Sequence, residues 1–163
     1  MSLGDSLLDY YSENEINNAD IIYYPNSRKF YQIAFMIESE TYDGLNINLK
    51  KNDKKYIIYS IKGLKNYDNR LDECLEQKKK IINQILSIIK NTEEVKFESS
   101  FANNFGKSIA YVSEFKFDNG SFNIGCSKWD KKNEKVISNK WWDSLNTDMA
   151  VKEWRDWLNN EAY

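Results

Sequence analysis

The sequence predicts an α+β fold, an antiparallel sheet of about five to seven strands covered on one face by helices near 5–19, 69–90 and 146–160. Three observations predict it. Residues 69–90, NRLDECLEQKKKIINQILSIIK, form the longest stretch of helical period in the chain. Aromatic residues make up 15% of the sequence and proline occurs once, a composition that suits pleated surfaces. Two stretches with glycine-bearing turns, FMIESETYDGLNINLKK and FKFDNGSFNIGCSKWDKK, flank the helix and each reads as a hairpin.

At the N-terminus, residues 5–19 read as a helix capped by Asp5 and docked by Leu7, Leu8 and Tyr11, with SENEINN as its polar, fraying end. Pro25, Asn26 and Ser27 then mark a turn. Lys29 to Ser39 reads as a strand apolar on both faces, suited to the middle of a covered sheet. Asp43-Gly44 turns the chain, and Leu45, Ile47 and Leu49 alternate with Asn46, Asn48 and Lys50 as a half-buried strand. Lys55 to Lys62 is a third strand, ended by Gly63.

In the long helix, Leu71, Cys74, Leu75, Lys78, Ile81, Ile82, Ile85, Ile88 and Ile89 share a face. Asn69 is positioned to cap its start, and Lys90 suits the negative end. The Lys78 stem packs on the apolar stripe while its ammonium reaches outward. Beyond the helix, Val95–Glu98, Ile109–Asp118 and Ser121–Trp129 read as strands, with Asn119-Gly120 as the strongest hairpin signal. SSFANNFGKS reads as a loop, Val136–Ser138 as a short strand, and 146–160 as the final helix. In that helix Ala150, Val151, Trp154, Trp157, Leu158 and Glu161 share a face.

The 163 residues suit a single domain, 1–163, and the opening Met1-Ser2-Leu3 reads as a vector-derived leader. Residues 35–55 and 115–135 echo one another: strand, glycine turn, strand with Asn-Ile, lysine-rich loop. They suggest a pseudo-repeat of 28–91 and 95–163. The abundance of Lys, Asn and Ile points to an A/T-rich, bacterial genome. The net charge of −2 gives no global footprint for nucleic acid. Residues 1–20 hold five acids and no base, which leaves 23 basic against 20 acidic residues in the remainder. The lysine-rich loops at 50–55 and 131–135 keep phosphate contacts open.

The chain has no histidine. Ser-His-Asp, Cys-His and histidine–metal chemistry are thereby excluded within it. Cys74 and Cys126 stand alone at apolar positions and read as buried thiols, without a disulfide. Neither a signal peptide nor a transmembrane run is apparent, so the expected location is cytoplasmic, away from membranes.

Two groups of residues carry candidate function. Glu114 and Lys116, around Phe115, project to one face of a strand about 7 Å apart. This pair resembles the site of magnesium-dependent nucleases of the PD-(D/E)XK type, where the carboxylate holds the metal and the lysine steadies the attacking water. That resemblance also needs an acid on the preceding strand. Glu98 is the candidate, although the family prefers Asp. FYQIAFMIESETYDGLNINLKK is similar in texture to β-rich regions that follow the catalytic core in some prophage nucleases of that superfamily. It implies an accessory or partial domain of a DNA-processing protein that binds or cleaves nucleic acid.

The second group is the tryptophans: Trp129, Trp141, Trp142, Trp154 and Trp157 all lie in the last 35 residues. They suit a partner surface, since tryptophan is enriched at binding hot spots. They equally suit an anchor for the last helix or a platform for bases or sugars. The leading expectation is a non-catalytic module that binds another protein through these tryptophans, with no cofactor and no metal. The alternative is the nuclease-like reading.

Overall fold

The computed structural model describes residues 1–89, 94–100, 105–138 and 141–163. A 3-10 turn (Leu7–Asp9) opens the chain. Next come α1 (Glu13–Asn18), β1 (Asp20–Tyr23), β2 (Phe30–Met36), β3 (Gly44–Lys50), β4 (Ile58–Asn66) and α2 (Leu71–Ile88). Then follow β5 (Glu94–Ser100), β6 (Ile109–Phe117), β7 (Gly120–Lys128), α3 (Glu134–Ser138), β8 (Ser144–Val151) and α4 (Lys152–Asn160). The strands form one eight-stranded antiparallel sheet in the order β1-β2-β3-β4-β8-β7-β6-β5. The α+β expectation holds, with more strands than the sequence suggested. β1 was missed because its run into Pro25 reads as a turn. It pairs with β2 at an edge, and all four of its residues are exposed.

The chain divides into two compact units. The first comprises Met1–Gly63, Phe117–Phe122 and Asp148–Tyr163; the second comprises Leu64–Lys116 and Asn123–Thr147.

In the first unit alternation along the strands separates two cores. Ile33, Ile47, Leu49 and Ile58 pack with Leu7 and Ile16 from the N-terminal segment. Phe30 packs with Ala150, Trp154, Trp157 and Ala162. Phe30 and Ile33 lie an odd number of residues apart on β2, so the two cores lie on opposite faces of the strands. Helical segments therefore cover both faces here, and not one as the sequence suggested. The reason lies in sequence distance: the residues that cover one face come from the start of the chain and those that cover the other from its end.

In the second unit the buried stripe of α2 is Cys74, Lys78 and Ile82, at the i, i+4, i+8 spacing the period predicted. Phe115 of β6, Ile124 and Cys126 of β7 and Val136 of α3 are buried. Cys74 and Cys126 form a disulfide. They are buried as expected, but the expectation of free thiols is overturned. The fold brings two cysteines 52 residues apart in sequence to a Cα–Cα distance of 6.0 Å, and pairing across that distance leaves no local signature. Lys78 is also buried. Burial pulls its pKa down, opposed by the nearby Glu94 charge.

Four local expectations give way. Residues 146–151 are strand, and α4 begins only at Lys152. Val136–Ser138 is helix, started by the Asn133 side chain accepting from the Lys135 and Val136 amides at 3.0 and 3.4 Å. Within 5–19 the polar SENEINN is the α-helix, because Ser12 and Glu15 make a reciprocal capping box. Asp5 instead accepts from the Tyr10 hydroxyl at 2.5 Å. Finally, Asn69 does not cap α2. It adopts φ 58° and donates to Asp68 at 3.1 Å, a left-handed turn that asparagine tolerates. Lys90 and residues 101–104 of the predicted loop lie outside the described residues.

Candidate functional site

The five tryptophans separate into two groups. Trp154 and Trp157, on the inner face of α4 in the first unit, are 4% and 1% exposed. Their spacing of one helical turn buries both against Phe30, and the Trp157 indole N–H donates to Ser27 Oγ at 2.9 Å. These two belong to the core and do not contribute to an exposed surface. Trp129, Trp141 and Trp142, in the second unit, are only half-buried.

Trp129 and Trp141 pack against each other with ring centroids 4.5 Å apart and planes tilted by 42°. Phe105 meets Trp141 at 5.1 Å and Trp129, edge to face, at 5.9 Å. Such contacts add to simple burial because ring edges and faces carry opposite partial charge. The Lys135 ammonium lies 5.7 Å from the Phe105 centroid, a cation–π contact.

Carboxylates, of which Asp143 is buried, hold the loops that carry these rings. Asp143, 4% exposed, accepts the Trp129 amide at 2.8 Å and faces the Lys131 ammonium at 3.7 Å. Lys131 also pairs with Asp68 and donates to the Trp141 carbonyl at 3.3 Å. The Lys131 hydrogen bond lowers the Asp68 pKa. Asp130 accepts the Lys107 and Lys132 amides, both at 3.0 Å, and these bonds lower its pKa too. The acids therefore act inward on backbone and lysine partners. Lys107, Lys128, Lys131, Lys132 and Lys135 are all exposed. An exposed lysine array therefore lies beside the half-buried indoles.

The nuclease-like residues are not brought together. Glu98 on β5 stands opposite Tyr111 of β6, whereas Glu114 stands opposite Val95. Their positions have opposite parity in this register, so the two carboxylates lie on opposite faces of the β5–β6 pair. Glu114 and Lys116 do share a face, with an ion pair at 3.3 Å. Lys116 is largely exposed, with 71% of its side chain open. Among the described residues no group of three or more acidic or cysteine side chains is placed to hold a metal ion. No helix among them is long and apolar enough to cross a membrane.

Sequence reasoning missed Phe105 as a partner of the tryptophans and Asp143 as the residue that anchors them. Both lie in segments that read as loops, and only the fold brings them to the cluster. No protein family, curated protein or solved structure matches the chain.

Proposed function

We propose that the chain is a non-catalytic binding module that engages an acidic segment of another protein through the Trp129–Trp141–Phe105 face of the second unit. The observation that carries this reading is the half-exposed indole pair among exposed lysines, with the nearby carboxylates engaged by loop amides and Lys131. Trp141 acts as the anchor, filling a groove of the partner, while Lys132 and Lys135 steer its approach. Trp154, an equal candidate in the sequence, drops out because it is buried.

The test is capture from an extract of the native cell with immobilised wild-type protein, Trp141→Ala and a Lys132→Glu/Lys135→Glu double variant. A partner held by wild type is expected to be lost with Trp141→Ala, which costs a hot-spot contact about 2 kcal/mol or more. It should be weakened in the double variant and by added salt, with circular dichroism unchanged throughout. Equal capture by all three proteins refutes the assignment to this face. Salt-sensitive binding of oligonucleotides that is lost in the same variants would transfer the face to nucleic acid.

A further inference from the structure

A second feature of the first unit is independent of that face. Between the sheet and α4 lies a cavity of about 190 Å³. Its floor is made of polar residues from adjacent strands: Gln32 of β2, Asn48 of β3, Ser60 and Lys62 of β4, and Asp148 of β8. Alternation brings these residues onto the strand face that carries Phe30, the face covered by Trp154 and Trp157. A helix with two buried indoles needs an apolar floor to pack on. A polar floor under it costs stability unless each group is satisfied.

The hydrogen bonds show which groups are satisfied. The Tyr24 hydroxyl donates to Asn48 Oδ1 at 2.8 Å, and Asn48 Nδ2 donates to Ser60 Oγ at 3.3 Å. Ser60 donates to Asp148 Oδ1 at 3.2 Å, and Arg155 closes on Asp148 Oδ2 at 2.9 Å and on Ser121 Oγ at 3.0 Å. Each side-chain oxygen of Asn48, Ser60 and Asp148 in this chain already accepts a hydrogen bond. Apart from the Gln32 amide, which offers a donor and an acceptor alike, two donors are left over. Trp154 is 4% exposed, lines the cavity, and its buried indole N–H has no acceptor. Lys62 lines the same cavity and has neither a hydrogen bond nor an ion pair among the described residues. Leu158 and Tyr24 give the remaining wall its apolar character.

We propose that this cavity binds a small organic monocarboxylate with a flat apolar body. The Lys62 ammonium and the Trp154 N–H take the carboxylate, while Leu158 and Tyr24 hold the body. The surplus of donors calls for a ligand that brings acceptors. One unpaired cation, beside a carboxylate already paired with Arg155, suits a monoanion better than a phosphate dianion. A cavity of about 150 Å³ already admits a benzene-sized molecule, so this one has room for an aromatic ring with its carboxylate.

The test titrates wild-type protein with benzoate and with phenylacetate by calorimetry, with benzamide and inorganic phosphate as controls. Saturable binding of at least one acid is expected, with benzamide and phosphate weaker by about tenfold or more. Lys62→Met, which keeps an unbranched stem and removes the charge, is expected to weaken the acid by about tenfold or more. Trp154→Phe, which keeps an aromatic wall and removes the N–H, is expected to weaken it about fivefold. Trp141→Ala, on the other unit's face, is expected to leave it unchanged, so this test and the capture experiment fail independently. The proposal is overturned if neither acid binds up to about 10 mM, if benzamide binds as tightly as benzoate, or if Lys62→Met and Trp154→Phe both bind like wild type. Should Lys62→Met fail to fold, Trp154→Phe and the benzamide control decide the matter.

Discussion

Lys62 is half-buried and lines the cavity of the first unit. Burial pulls its pKa down, Arg155 adds to the lowering, and Asp148 partly opposes it. The other titratable groups of the cavity are Tyr24 and Tyr163, whose pKa values burial pushes up. A lysine with its folded pKa below its unfolded value binds fewer protons when folded, within the window between the two. Stability therefore rises with pH across that window, and the cost of the buried ammonium is fully present below the folded pKa. Lys62→Met removes that cost. The variant is expected to be more stable than wild type at neutral pH by about 1 kcal/mol in urea unfolding. Its advantage should shrink as pH climbs toward 10.5, the ordinary lysine value. A variant less stable than wild type at neutral pH would mean that Asp148 more than offsets the desolvation of Lys62. Trp154 and Trp157 make a parallel contrast. They sit one turn apart in the same helix, yet only Trp157 has an acceptor for its N–H.

The turn from β6 to β7 shows how one sequence signal can have another cause. Asn119-Gly120 reads as a hairpin dipeptide, but Gly120 is already the first residue of β7. A Cβ there would lie 2.2 Å from the Ala150 carbonyl oxygen at the end of β8. Backbone at that distance cannot yield as a flexible side chain can. Gly120→Ala is thus expected to destabilise the protein by about 1–3 kcal/mol, read as a lower urea midpoint. An unchanged midpoint would show that β8 can move away at little cost. The same strand marks the limit of the sequence reading. Ala150 and Val151 fall on a helical face with Trp154, and nothing local separates 146–151 from α4. They are strand because β8 pairs between β4 and β7, and pairing partners distant in sequence leave no mark on periodicity. α2 was legible because its stripe is long and self-contained. The polar members of β3 were misread for a related reason. Alternation correctly put Asn48 on the face opposite Ile47, but only the docking of α4 makes that face buried, leaving Asn48 2% exposed. Part of the candidate site was legible in the same way. The sequence marked the tryptophans, but their division into buried and half-exposed groups depends on which strand each helix or loop packs against.

The two units also differ in how they are held together. The first is closed by two apolar cores and the polar chain from Tyr24 to Arg155. The second carries a covalent bond between α2 and β7. The bond spans a sequence separation of 52 residues, and by loop-closure entropy a link of that length is worth about 2–4 kcal/mol. Cys126→Ser, or reduction of the wild type, is accordingly expected to lower stability by about that amount. Amide hydrogen exchange then shows where the loss falls. If the units open separately, exchange should accelerate in α2 and β7 while β2 and β3 keep their protection, because the bond constrains only the unfolded form of the second unit. In that case benzoate binding by the first unit should survive reduction. Equal acceleration in all four elements would mean that the eight-stranded sheet opens as one cooperative unit. Losing the disulfide would then weaken the Lys62 cavity as much as the Trp141 face.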